Sequence, residues 1–211
     1  MRIALFGGTG RTGRPFLDQA LQAGHDVVAS VRTPSKLGGL SHDRLTVLEG
    51  DVLDAAHVAS VLEGADAVVL TLGPTKGGPK SMMTRAAQNV ISAMKRHGVQ
   101  RVVTETGAGV GDPKDPGGFG PKLMSTIMGL VAKDLLTDSV GHVDAFRDSG
   151  LEWTAVRAPR LTEGAQTGDV KVGYFSMGPG HSVSRADVAA VMLRLATSDE
   201  YAGQAPHVTG A

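Results

Sequence analysis

The 211-residue chain contains no cysteine, which excludes disulfides, thiolate nucleophiles and cysteine-based metal sites. It has no excess of either charge. Its 21 lysines and arginines balance 21 aspartates and glutamates, so no net field argues for nucleic acid or an anionic membrane as partner. Long apolar runs are missing as well: the most hydrophobic helical stretch, Leu123 to Val131, meets Lys133 and is too short to span a bilayer. The seven histidines show no close metal-ligand spacing, so no metal is expected. The chain goes straight into a strand and a glycine turn, which predicts no secretory leader and a cytoplasmic location. At this length one domain, residues 1–211, can bury a substantial core.

What is there begins at once. Ile3 to Phe6 reads as a buried strand that breaks into three glycines spaced three apart, Gly7, Gly10 and Gly13. Phe16, Leu17, Ala20 and Leu21 then recur at helical spacing. Strand, glycine turn and helix together form the context in which such a pattern signals a dinucleotide site. Glycine permits the tight turn and the close approach of backbone amides to a pyrophosphate. The helix N-terminus offers unpaired N–H groups to the same charge.

Further apolar runs follow at Val27–Val31, Leu45–Leu48, Ala67–Leu72, Arg101–Glu105 and Trp153–Arg157. Between them lie helical patterns: a short one capped by Asp54, another from a Ser81 cap to His97 stopping at Gly98, and a third from about Lys122 to Asp148, in one piece or in two broken near Gly141. Short strands near Val170–Phe175 and His181–Val183, a helix Arg185–Thr197 and a strand near His207 complete the chain. This alternation predicts an α/β fold, a Rossmann-type doubly wound parallel sheet with helices on both faces. The glycine- and proline-rich stretch Gly107–Pro121 is long for a connection, and it is expected to act as a mobile flap.

The end of the second strand, where the adenosine ribose binds in such folds, carries no carboxylate. It carries Arg32 and Lys36, which suit the 2′-phosphate of NADP(H), or else are ordinary solvated charges. Asp51-Val52 ends the third strand, where the carboxylate either accepts from adenine or serves its own turn. Leu72-Gly73 ends the fourth strand at the same edge. For chemistry there are Thr106 as a hydrogen-bond donor, His142 as a candidate acid and Arg160 as a candidate anion partner; each has a plain structural role as its alternative. Met82, Met83, Phe119, Met124 and Met128 either wall a flat apolar ligand or fill core.

The segments GGTGRTG, SVRTPSKL, EGDVLD, TLGPT, AAQNVISAMKRHGVQRVV, SGLEWTAVRAPRLTEG and SVSRADVA resemble the atypical short-chain dehydrogenases. More narrowly, they resemble the NAD(P)-binding proteins typified by biliverdin reductase B, or flavin reductase, and the NmrA-like group. The resemblance implies Gly7, Gly10, Arg11, Thr12 and Gly13 at the pyrophosphate, Arg32 at the 2′-phosphate, and Asp51-Val52 at adenine. It further implies Leu72-Gly73 beside the adenosine half, with Thr106-Gly107 and Pro159-Arg160-Leu161 near the nicotinamide. Conventional members carry a Tyr-x-x-x-Lys proton donor; neither Tyr174 nor Tyr201 is followed by that lysine. The flavin-reductase serine after the fifth-strand threonine is Gly107, and its histidine after Pro-Pro is replaced by Arg160. Without that acid the chain points away from alcohol dehydrogenation, toward hydride transfer from NADPH to a flat flavin or quinone. An NmrA-like NADP(H) sensor with little turnover is the alternative.

Overall fold

The computed structural model describes residues 1–74, 77–116 and 133–211. Five parallel strands and three α-helices build the N-terminal part: β1 Arg2–Phe6, α1 Gly13–Gln22, β2 Asp26–Val31, β3 Leu45–Glu49, α2 Ala55–Val61, β4 Ala67–Leu70, α3 Met82–His97 and β5 Arg101–Gly107. After it come α4 Lys133–Arg147, β6 Glu152–Ala158, β7 Arg160–Thr162, β8 Val170–Gly173, β9 Ser182–Ser184, α5 Arg185–Ala196 and β10 His207–Gly210. Eight strands form one sheet in the order β3-β2-β1-β4-β5-β6-β10-β8. Every neighbouring pair is parallel except β10 with β8, which closes the sheet with an antiparallel edge. Strands β7 and β9 pair separately, in parallel, as a small two-stranded sheet.

Alternation along each strand divides the core in two. Ala4 and Phe6 face one side and join Val58, Val90 and Met94 from α2 and α3. Ile3 and Leu5 face the other side and join Phe16, Leu17 and Leu195 from α1 and α5. Because strands are covered on both faces, they read as near-continuous apolar runs. The sheet grows from β1 toward β2 on one side and toward β4 on the other. Connections leaving these neighbours therefore diverge and open a crevice at the strands' C-terminal ends, where ligands bind in such sheets.

Two details differ from the sequence expectation. Ser81 makes no capping hydrogen bond at α3. Instead Asp138 reaches across from α4: its carboxylate accepts from the N–H groups of Met83 and Thr84, each at 2.9 Å, and from the Thr84 hydroxyl at 2.7 Å. The cap is a tertiary one, which local spacing does not reveal. Helix α4 also runs unbroken through Gly141. A Cβ there would lie 2.7 Å from Thr84 Oγ1, so glycine marks a close approach of α3 and α4, not a break.

Candidate active site

A cleft of about 710 Å³ lies over the C-terminal ends of the central strands. Its floor at the first turn is built by Gly7, Thr9, Gly10, Arg11 and Thr12. Gly7 adopts φ +92°, and a Cβ at Gly13 would sit 2.1 Å from the Gly7 carbonyl oxygen. Only glycine lets turn and helix close this tightly. The Gly10 N–H donates to the Gly7 carbonyl at 2.8 Å, whereas the N–H groups of Arg11 and Thr12 have no backbone acceptor among the described residues. Free N–H groups at a helix N-terminus, inside a cleft, fit a pyrophosphate.

The cleft wall then passes Ser30, Arg32, Asp51, Val52, Leu72 and Gly73. Arg32 is exposed and has no ion-pair partner among the described residues, which leaves its guanidinium available. One Asp51 oxygen accepts from the Leu53 N–H at 2.9 Å, so the residue serves its turn while also lining the cleft. Lys36, in contrast, lies in a short 3-10 turn off the cleft wall. Ser30 is held by His57 of α2, its hydroxyl 2.8 Å from Nε2.

Thr106, Gly107, Pro159 and Leu161 also line the cleft, as do Met82, Met83, Leu135 and Leu136. The candidate acid is a different matter. His142 is 2% exposed and lies outside the cleft lining. Its Nδ1 lies 2.9 Å from the Met83 carbonyl, so Nδ1 donates and Nε2 accepts from the Thr104 hydroxyl at 2.7 Å. Burial lowers its pKa, which keeps the ring neutral. The ring braces α4 against α3 and β5, away from the cleft lining where a candidate acid was expected. Arg160 is likewise displaced: it is exposed, and only its neighbours Pro159 and Leu161 reach the cleft. The two tyrosines are structural, Tyr174 accepting from the Ala205 N–H and Tyr201 donating to the Val172 carbonyl.

The expected flap is pinned over its described part. Arg157 is fully buried and grips Asp115 with both terminal nitrogens, at 2.5 and 2.7 Å, while donating to the carbonyls of Val110 and Ala205. Arg147 holds Asp112 at 2.9 Å and lies 6.0 Å over the ring of Trp153. Residues 117–121 of the expected flap, with Phe119, Met124 and Met128, lie outside the described residues.

One cleft residue was not foreseen. Glu105 lines the floor between Thr12 and Arg185, and its Oε1 accepts from the Thr12 hydroxyl at 3.2 Å. Burial pushes its carboxyl up to about 7, against the opposing pulls of Thr12 and Arg185. A signal was available: an acid stands at a core-facing position two residues after the buried Val103, at the end of a central strand.

The crevice, the glycine turn and the free helix amides define a nucleotide-binding α/β protein, and the chain belongs to the NAD(P)H-binding family, which it matches over residues 7–199. It is 25% identical to quinone oxidoreductase 2 of Escherichia coli K12, over 99% of this chain and 68% of that one. The Synechocystis photosystem II assembly factor Ycf39 is 31% identical over 49% of this chain, but the match spans only 32% of Ycf39. Among solved structures, ChuY, an anaerobillin reductase from Escherichia coli O157:H7, superposes with a TM-score of 0.82 at 25% identity, covering 99% and 96% of the two chains. No helix among the described residues is long and apolar enough to cross a membrane.

Proposed function

We propose that the protein is an NADPH-dependent reductase that delivers hydride to a flat acceptor such as a flavin or quinone. The observation that carries this reading is the change of chemistry along the cleft. Backbone amides and Arg32 line one end, while Met82, Met83, Leu135, Leu136 and Val110 make an apolar wall at the other. Such a wall accepts a flat ring and excludes water from it. Relatives named quinone oxidoreductase and anaerobillin reductase support an oxidoreductase of this kind.

The residues present would hold NADPH with the glycine turn at the diphosphate and Arg32 at the 2′-phosphate. The nicotinamide supplies the hydride. The protein's own part is to align two rings in contact, which this cleft shape favours. Thr106 lines the same cleft, and its hydroxyl would orient a carboxamide or an acceptor oxygen there. With His142 locked in the core, solvent is the proton source. The test is NADPH consumption with a panel of flavins and quinones. Turnover with at least one supports the reductase; tight NADP(H) binding with none would favour the sensing alternative.

A further inference from the structure

We infer that Glu105 couples dinucleotide binding to proton uptake: its carboxyl is an anion in the free protein at alkaline pH and is protonated when a diphosphate occupies the glycine turn. The inference rests on the reading of the cleft as a dinucleotide site. It starts from a conflict of charge. Thr12 is the residue at the N-terminal cap of α1, where the free amides await an anion, and the same Thr12 donates its hydroxyl to Glu105. Glu105 lines the same cleft as Gly10, Arg11 and Thr12. A carboxylate and a diphosphate at one helix end repel each other, and a low-dielectric floor strengthens the repulsion.

The surrounding groups offer little relief. From α5, Arg185 faces Glu105, but it is committed to Glu163 at 2.7 Å. Arg11, at the glycine turn, shares Glu163 at 3.5 Å. From β6 the residue in register is the apolar Val156, and Thr104 and Thr106, the neighbours of Glu105 along β5, are neutral. Among the described residues Glu105 therefore has a hydroxyl partner and no ion-pair partner. Burial already raises the free carboxyl to about 7, and an arriving diphosphate raises it further. At neutral pH the low-energy outcome is to take up a proton. That removes the repulsion and turns an acceptor into a donor facing the turn.

The experiment is calorimetric titration with NADP⁺ between about pH 6 and about pH 8.5, and at neutral pH in two buffers of different ionisation enthalpy. The 2′-phosphate titrates near pH 6 in its own right, and His57 stands behind Ser30 at the adenosine end. The quantity read is therefore the difference between the wild type and Glu105→Gln. The wild type is expected to lose affinity by up to about tenfold per pH unit on the alkaline side. It should also show a buffer-dependent enthalpy that reports proton uptake at neutral pH. Glu105→Gln should bind more tightly than the wild type at alkaline pH, with a smaller buffer dependence. Binding with the same pH profile in both proteins overturns the coupling and leaves the dinucleotide site standing. No binding by folded wild type, even at the acid end, overturns the site and the coupling together. A variant that keeps the wild-type pH profile of affinity but loses turnover would make Glu105 the acid of the reaction, and would also overturn the coupling. Should Glu105→Gln fail to fold, the two-buffer measurement on the wild type decides: equal enthalpies refute the inference.

Discussion

Arg32 and His142 show how differently two single residues can be read. Arg32 sits where a strand end meets a cleft, and its guanidinium, without an ion-pair partner among the described residues, suits a phosphate in a fixed fork. Arg32→Ala should weaken NADPH binding by about 1.5–3 kcal/mol, the range for a hydrogen bond to a charged group, and leave NADH nearly unchanged. Equal affinity of the wild type for both cofactors in a fluorescence titration would refute the assignment. His142 was legible only as a histidine on a helix; nothing local says whether it points to solvent, site or core. Its two bonds to Thr104 and Met83 are tertiary, so sequence spacing is silent about them. His142→Ala leaves a hydroxyl and a carbonyl unpaired beside a void, and should cost about 2–4 kcal/mol of stability. Turnover per folded molecule should barely change. A loss in kcat of about a hundredfold or more, the contribution of a positioned acid, would restore the histidine to the chemistry.

At the scale of elements, the strands and the glycine turn could be read in advance because their signals are local: apolar runs, and glycines where φ or close approach forbids a side chain. What could not be read was the contact between elements. Asp138 caps α3 from α4, some fifty residues away in sequence, and Gly141 is small because Thr84 is close. Replacing Gly141 with alanine tests this directly. Helix propensity alone would favour alanine by about 1 kcal/mol. Thr84 Oγ1 cannot move aside cheaply, because it bonds the Asp138 carboxylate at 2.7 Å and the Asp138 carbonyl at 3.1 Å. Gly141→Ala should therefore destabilise by about 1–2 kcal/mol net of that gain, seen as a lower urea midpoint. A higher midpoint would mean that α3 and α4 separate freely.

Across the whole molecule, buried titratable groups pull stability in opposite directions with pH. Burial lowers His142 and His207, so the stability they contribute is present above the ordinary histidine value, about 6.5, and is lost as pH falls. For Asp115 burial acts to raise the pKa, but the Arg157 hydrogen bonds and the Asp112 N–H outweigh it and hold the carboxyl low. Its contribution persists above the ordinary carboxylate range and is lost only in strong acid. Glu105 runs the other way. Its contribution is complete below the ordinary glutamate value and is lost as pH rises through about 7. In the ligand-free protein, Glu105→Gln should therefore gain stability relative to the wild type between pH 5 and pH 8, by up to about 3 kcal/mol. Urea midpoints for both proteins at the two pH values measure the gain; an unchanged difference would place Glu105 in an ordinary solvated setting.

The clamp that Arg147 makes on Asp112 has an optical consequence. Trp153 is the chain's only tryptophan, and the guanidinium that stacks over its indole is the same one that holds the segment after β5 at Asp112 and at the Gly111 carbonyl. Indole emission responds to nearby charge and water, so the protein carries a single, built-in fluorophore wired to the rim of its own cleft. Any ligand that loosens or tightens residues 107–116 should change the colour or brightness of that one signal, with no label attached.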